Sequence, residues 1–140
     1  MKKLTKADKL IKEFPTLFPE GFQIECGDGW VELIRLVCNC FTLKLSEKEV
    51  KDIKFAQIKE KFGLLRIYFD AKFPKSADNK VFNELHTIIS TMEGVSSIVC
   101  EDCGQIRNGK FNVGMKVLSG WIMTKCDDCY KKRKKERNER

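Results

Sequence analysis

Between Trp30 and Phe41 apolar side chains stand at 30, 33, 34, 37, 38 and 41, with Glu32, Arg35 and Asn39 between them. At the helical angle of about 100° per residue the first set forms one stripe, which predicts an amphipathic helix. The preceding "GDGW" (27–30) reads as a turn and helix start. Asp28 or Gly29 is the expected cap, because a carboxylate there accepts amide hydrogens and suits the positive helix end. Ala7, Leu10, Ile11 and Phe14 predict a shorter helix over 6–13, capped by Thr5 and stopped by Pro15 and Pro19. The period then falls to two. "IKFAQI" (53–58) and "LLRIYF" (64–69) predict two strands, joined by "KEKFG" (59–63) as a hairpin link in which Gly63 supplies the permissive backbone. Leu65, Ile67 and Phe69 point one way from the second strand, and Leu64, Arg66 and Tyr68 the other. After "KSADNK" (75–80), with Ser76 or Asp78 as cap, a helix over about 78–93 buries Val81, Phe82, Leu85, Ile88, Ile89 and Met92. Gly94 is its expected stop.

Beyond residue 98 the apolar pattern thins and cysteines take over. "VCEDCG" (99–104) is echoed by "KCDDCY" (125–130), so Cys100, Cys103, Cys126 and Cys129 form CxxC–x22–CxxC. Zinc takes four soft ligands in a tetrahedron, and two tight turns brought together supply them. Gly104 fits a knuckle in which the chain turns sharply beneath the sulfurs. Four thiolates close the coordination shell, so the expected cofactor is one structural Zn2+ ion rather than a catalytic one, which keeps a position open for water. The competing reading is four buried or disulfide-bonded cysteines. "IRNGKF" (106–111) and "SGWIMT" (119–124) read as the edges of a small ribbon. The fold expected is α+β: helices with a β-hairpin over 1–97, a zinc ribbon over 98–130 and a basic tail over 131–140.

Charge changes this picture in one respect. The 140 residues carry a net +7, but "KKRKKERNER" (131–140) alone holds +5 and leaves +2 for the rest. Glu101, Asp102, Asp127 and Asp128 lie inside the knuckles, where they would repel phosphate. Asp127 and Asp128 also suit the start of a helix carrying the tail. The knuckles are therefore expected to staple the chain, with any contact surface elsewhere. Lys59, Lys61 and Arg66, with Lys54, surround Phe62 at the hairpin. With Lys131, Lys132, Arg133, Lys134 and Lys135 they offer a basic and aromatic surface suited to single-stranded nucleic acid or RNA, against the plainer reading of solvated lysines.

Other candidates have plainer uses. Cys38 and Cys40 project about 200° apart on a helix and cannot easily share a metal; Cys38 falls on the core stripe. Cys26 as a nucleophile would need His86, the one histidine, which sits at the border of an apolar face. Asp28 and Glu60 could pair as acid–base groups, but a cap and a solvent-exposed side chain are the expected roles. Trp30 and Trp121 are expected to fill the core and brace the ribbon; an exposed Trp121 would instead indicate a binding platform.

"ECGDGW" (25–30), "IKEKFGLLRIYF" (58–69), "CEDCG" (100–104) and "GWIMTKCDDC" (120–129), in that order, resemble a family of small uncharacterised proteins from phages, prophages and bacteria. The resemblance covers roughly 20–130. Leu64 stands where that family commonly has a second glycine, and Cys129 where it often has histidine. The resemblance implies a phage or mobile-element setting and no settled activity. Together these readings anticipate a non-enzymatic, zinc-binding accessory protein associated with nucleic acid through its tail and hairpin. The alternative is a protein-binding module, such as a phage factor that binds or inhibits a host defence protein. No apolar run spans a bilayer and no signal-peptide core follows the basic N-terminus, so a cytoplasmic location is expected (that of the host cell if phage-encoded), with no membrane or small-molecule partner.

Overall fold

The computed structural model describes residues 3–72 and 79–138. Among them, five α-helices and two small sheets make an α+β fold. The helices are α1 (Lys6–Glu13), α2 (Val31–Lys44), α3 (Glu47–Val50), α4 (Lys80–Val95) and α5 (Asp127–Asn138), and the strands are β1 (Ile24–Glu25), β2 (Ile53–Lys61), β3 (Leu64–Ala71), β4 (Val113–Leu118) and β5 (Trp121–Cys126). The first sheet runs β1-β2-β3, with β1 parallel and β3 antiparallel to β2; the second pairs β4 with β5.

The stripe on α2 is buried as its period requires: Leu33, Ile34, Val37, Cys38 and Phe41 join Trp30 in the core. They pack with Leu65, Ile67 and Phe69 from the inner face of β3 and with Leu85 and Ile89 from α4. Phe41 bridges the two strands, its ring 5.8 Å from Phe55 and 5.6 Å from Phe69. On β2 the alternation breaks at Ala56, where Phe55 pairs with Phe69 and Gln57 with Tyr68. This bulge re-phases the strand, so that Ile53, Phe55 and Ile58 all face the core. The outer edge of β3 is covered rather than open: Ser96 Oγ and Glu93 Oε2 accept from the Leu65 and Ile67 amides at 3.0 and 2.9 Å.

Several local expectations need correction. "KEKFG" is not a five-residue link, because β2 continues to Lys61 and the turn is Phe62-Gly63 alone, with φ of +53° and +80°. Positive φ at both central residues is the type I′ turn that suits strand twist. Leu64 is already in β3, so a glycine there is not needed. The ribbon turn, Ser119-Gly120, repeats the device with φ of +51° and +79°. "IRNGKF" is a strand edge only at Ile106, which bridges Val99: beyond it the Asn108 side-chain Oδ1 accepts from the Lys110 and Phe111 amides and holds a loop, and the strand begins at Val113. Helix α4 is capped by the Asn79 side chain, which accepts from the Phe82 amide; Ser76 and Asp78 lie outside the described residues. Gly94 lies inside that helix, which runs on to Val95. Thr5 does cap α1, in a capping box with Asp8. Helix α3, opened by a second capping box from Ser46 and Glu49, was missed, as was two-residue β1. No helix among the described residues is long and apolar enough to cross a membrane.

Candidate metal centre

Cys100 and Cys103 lie on the turn that opens the ribbon, before β4, Cys126 ends β5 and Cys129 lies in the first turn of α5. Their four sulfurs all fall within 4.8 Å of one another. The Cys103 and Cys126 sulfurs are 3.8 Å apart. That is far too long for a disulfide, and it equals the edge of a tetrahedron whose centre lies about 2.3 Å from each sulfur. Cys100 and Cys126 are buried, Cys129 is half-buried and Cys103 is exposed. The Gln105 amide points at Cys103 Sγ and the Cys129 amide at Cys126 Sγ, each at 3.4 Å. Burial and then the neighbouring sulfurs push the Cys129 thiol well above its ordinary value. Burial acts the same way on Cys100, but amides of Cys103, Cys126 and Asp102 outweigh it and lower that thiol. Four thiols this close resist joint ionisation until a cation joins them.

The ribbon around this cluster has almost no core of its own. Among the described residues Cys100, Val113 and Cys126 form a small buried cluster there, with Cys129 packed against them, and Met123, Thr124 and Lys125 are buried along β5. Something other than apolar burial must hold it, and a metal ion bound by the four cysteines fits that need.

The ribbon docks on the body through the GDGW turn. The Gly29 amide donates to the Glu101 backbone carbonyl at 2.7 Å, the Gly27 amide to the Glu101 carboxylate at 2.9 Å, and Trp30 Nε1 to the Val99 carbonyl at 2.8 Å. The contact is close enough to demand glycine: a Cβ on Gly29 would lie 2.1 Å from the Cys100 carbonyl oxygen. On the other side, Thr124 Oγ1 donates to the Gly63 carbonyl at the tip of the β2–β3 hairpin. "GDGW" thus receives the first knuckle and "KFG" receives β5, so two motifs of the body, distant in sequence, dock the ribbon.

The knuckle acids have structural partners. Glu101 caps the start of the helical segment leading into α2; burial raises its carboxyl despite the Gly27 amide. Asp102 holds the buried Lys125 ammonium at 2.5 Å. Asp127 opens α5 and pairs with Lys116 at 2.8 Å, which pulls its carboxyl below the ordinary range. Asp28 is exposed and supplies no cap; the cap position is Gly27. Asp28→Asn and Asp28→Ala are therefore both expected to change stability by no more than about 0.5 kcal/mol. Glu101→Ala, which removes the acceptor, should cost about 0.5–2 kcal/mol. Denaturant unfolding of the three variants checks this.

The expected basic surface is only partly assembled. Lys59 and Lys61 lie beside Phe62, and Lys59 faces Arg66 across the strands. Arg66 leans toward Glu93 at 3.8 Å. Lys54 is at the far end of β2, about 23 Å away along the strand, where its ammonium donates to the Thr16 carbonyl. Lys131, Lys132, Arg133, Lys134 and Lys135 are all exposed on α5. Trp30 is buried as expected, but Trp121 is not a core residue: it is 64% exposed. Glu60 is half-buried rather than in open solvent, and its carboxylate accepts from the Gly63 amide at 3.3 Å. Cys26 faces Glu101, Asp28 and Glu60; burial first and these charges next push its thiol up to about 12, the reverse of what a nucleophile needs. His86 rests on Phe69 and Phe82, its ring 4.9 and 4.5 Å from theirs. No protein-family model, curated protein or solved structure matches the chain.

Proposed function

We propose that the chain is a zinc-stapled accessory module, not an enzyme, that engages nucleic acid through α5 and the β2–β3 hairpin. The sulfur spacing and all-thiolate shell favour zinc, which binds four cysteines in structural sites. The observation that carries the nucleic-acid reading is the way α5 is held. Its five consecutive basic residues are exposed on a helix whose first turn is tied to the ribbon by Lys116–Asp127 and by Tyr130 Oη donating to the Val117 carbonyl at 3.1 Å. Cations on a held helix lose less freedom on meeting phosphates than cations on a loose tail. The phage or mobile-element setting implied by the family resemblance agrees with an accessory role.

Binding to oligonucleotides should fall steeply with salt, with a log–log slope of about −0.7 to −0.9 for each phosphate neutralised. Deleting 131–140 should flatten that slope and weaken binding, yet leave metal content and melting temperature nearly unchanged. A salt titration with intact and truncated protein side by side measures this. Absence of binding by the intact protein at low salt would overturn the reading. A second reading, a protein-binding module such as a phage factor acting on a host protein, draws on Met115 and Val117, 64% and 57% exposed on β4. Nuclease-resistant capture of a single protein would favour it.

A further inference from the structure

We infer that the groove between the two hairpin tips is a base-stacking site for single-stranded nucleic acid. This rests on the nucleic-acid reading above and adds the class of ligand and the residues that sort it. The docking of Thr124 onto Gly63 sets the Phe62-Gly63 tip beside the Ser119-Gly120 tip. Between them lies a groove of about 410 Å³ lined by Lys59, Glu60, Lys61, Phe62 and Trp121. A second cleft of about 490 Å³ shares Trp121 and is lined by Arg133 and Arg137, one turn apart on α5, and by the carboxylates of Glu60, Glu101 and Glu136, so its cations are offset by acids and the phosphates are left to Lys59, Lys61 and the outer face of α5. Phe62 and Trp121 are 67% and 64% exposed. The tail helix and the hairpin thus meet at one exposed indole.

Phe62 stands out for its backbone as well as its exposure. At φ +53° it fills the first central position of a type I′ turn, where asparagine, aspartate or glycine is favoured and a bulky side chain is strained. It bears that strain while leaving most of its ring in water, so it gains little from packing. Such a position is more consistent with contact to a ligand than with folding. Two exposed aromatic rings flanked by lysine and arginine match the chemistry of unpaired bases, whose faces stack while cations take the phosphates. A duplex hides those faces. A protein partner fits less well, because lysine is depleted from protein interfaces. Glu60 does not spoil the groove, since its carboxylate is turned to the Gly63 amide.

The test uses zinc-loaded full-length protein, a short oligo-dT strand and a duplex of equal length, read by anisotropy and by intrinsic fluorescence. Trp30 is fully buried, so stacking should quench the Trp121 emission with oligo-dT and not with duplex. Trp121→Ala and Phe62→Ala should each weaken oligo-dT binding about tenfold and leave the salt slope unchanged. Phe62→Asn relaxes the turn; it should melt a few degrees above the parent protein yet bind as poorly as Phe62→Ala. That combination separates contact from folding. Oligo-dT binding at parental affinity by all three variants, or equal affinity for strand and duplex without quenching, would overturn the stacking site while leaving a backbone-contact reading intact. No binding to either nucleic acid would overturn both. Capture of a protein abolished by Trp121→Ala, with no effect on oligo-dT, would assign the groove to a protein instead.

Discussion

Removing the metal is expected to release the ribbon and leave the helical body folded. The body has its own continuous core, from Leu10 through Trp30, Phe41 and Phe55 to Leu85 and Val99, whereas the ribbon's own cluster is Cys100, Val113 and Cys126, with Met123, Thr124 and Lys125 buried beside it along β5. A four-thiolate zinc site contributes apparent binding energy of about 10–16 kcal/mol in small domains, far more than so small a core can replace. Chelation under reducing conditions, or Cys103→Ser, should therefore abolish amide protection from Cys100 to Cys129. The Gly27 and Gly29 amides, whose acceptors both belong to Glu101, should exchange with them. The amides of α2 and of the β2–β3 pair should stay protected. Hydrogen exchange with and without chelator reads this residue by residue. A ribbon that keeps its protection without metal would show that packing alone holds it.

A single methyl group should do nearly as much harm to the docking. In Gly29→Ala the new Cβ would meet the Cys100 carbonyl oxygen at 2.1 Å and the Glu101 carbonyl carbon at 2.6 Å. Both are backbone atoms, so no side chain can swing aside. The turn or the knuckle must shift, and the 2.7 Å Gly29–Glu101 hydrogen bond goes with it. Overpacking costs about 1–3 kcal/mol and the lost bond about 1 kcal/mol more, which for a chain this size lowers the melting temperature by roughly 10 °C. Gly27→Ala, with the Glu101 carbonyl oxygen 2.4 Å from its Cβ, should behave alike. Gly94→Ala is the contrast: that residue lies within α4 with open space where a Cβ would go, so the change should stabilise by up to about 1 kcal/mol.

The helices were legible because their stripes are long. Trp30 through Phe41 repeats the helical period over three turns, and every position of its stripe (30, 33, 34, 37, 38 and 41) is buried. Thr5 was legible as a cap because it stands just before the apolar stripe of α1, and the structure adds the reciprocal bond from Asp8. The boundaries that failed depend on local side-chain chemistry. Asn108 holds a loop by accepting two amides, and Asn79, not an earlier residue, reaches the amide that α4 leaves open. The four sulfurs were legible from spacing alone, since little besides a shared ion calls for two CxxC pairs. GDGW was legible as a turn and helix start, but its cap position is Gly27 rather than Asp28 or Gly29, and the approach of its glycines to Cys100 and Glu101, more than 70 residues away, is recorded by no local pattern. Trp121 was misplaced for a similar reason. It shares a strand face with Met123 and Lys125, which are buried, but it stands at the start of β5 beside the Ser119-Gly120 turn, where it is left exposed, and the residue pattern does not record how far the cover extends.

The claim on which the rest stands is that the four cysteines hold a metal ion that staples the ribbon to the body. Elemental analysis of the reduced, folded, full-length protein tests it most directly. One zinc ion per chain, lost together with ribbon protection in Cys103→Ser, is the expected result. Folded, reduced protein that carries no metal yet keeps the ribbon docked on the GDGW turn would contradict it.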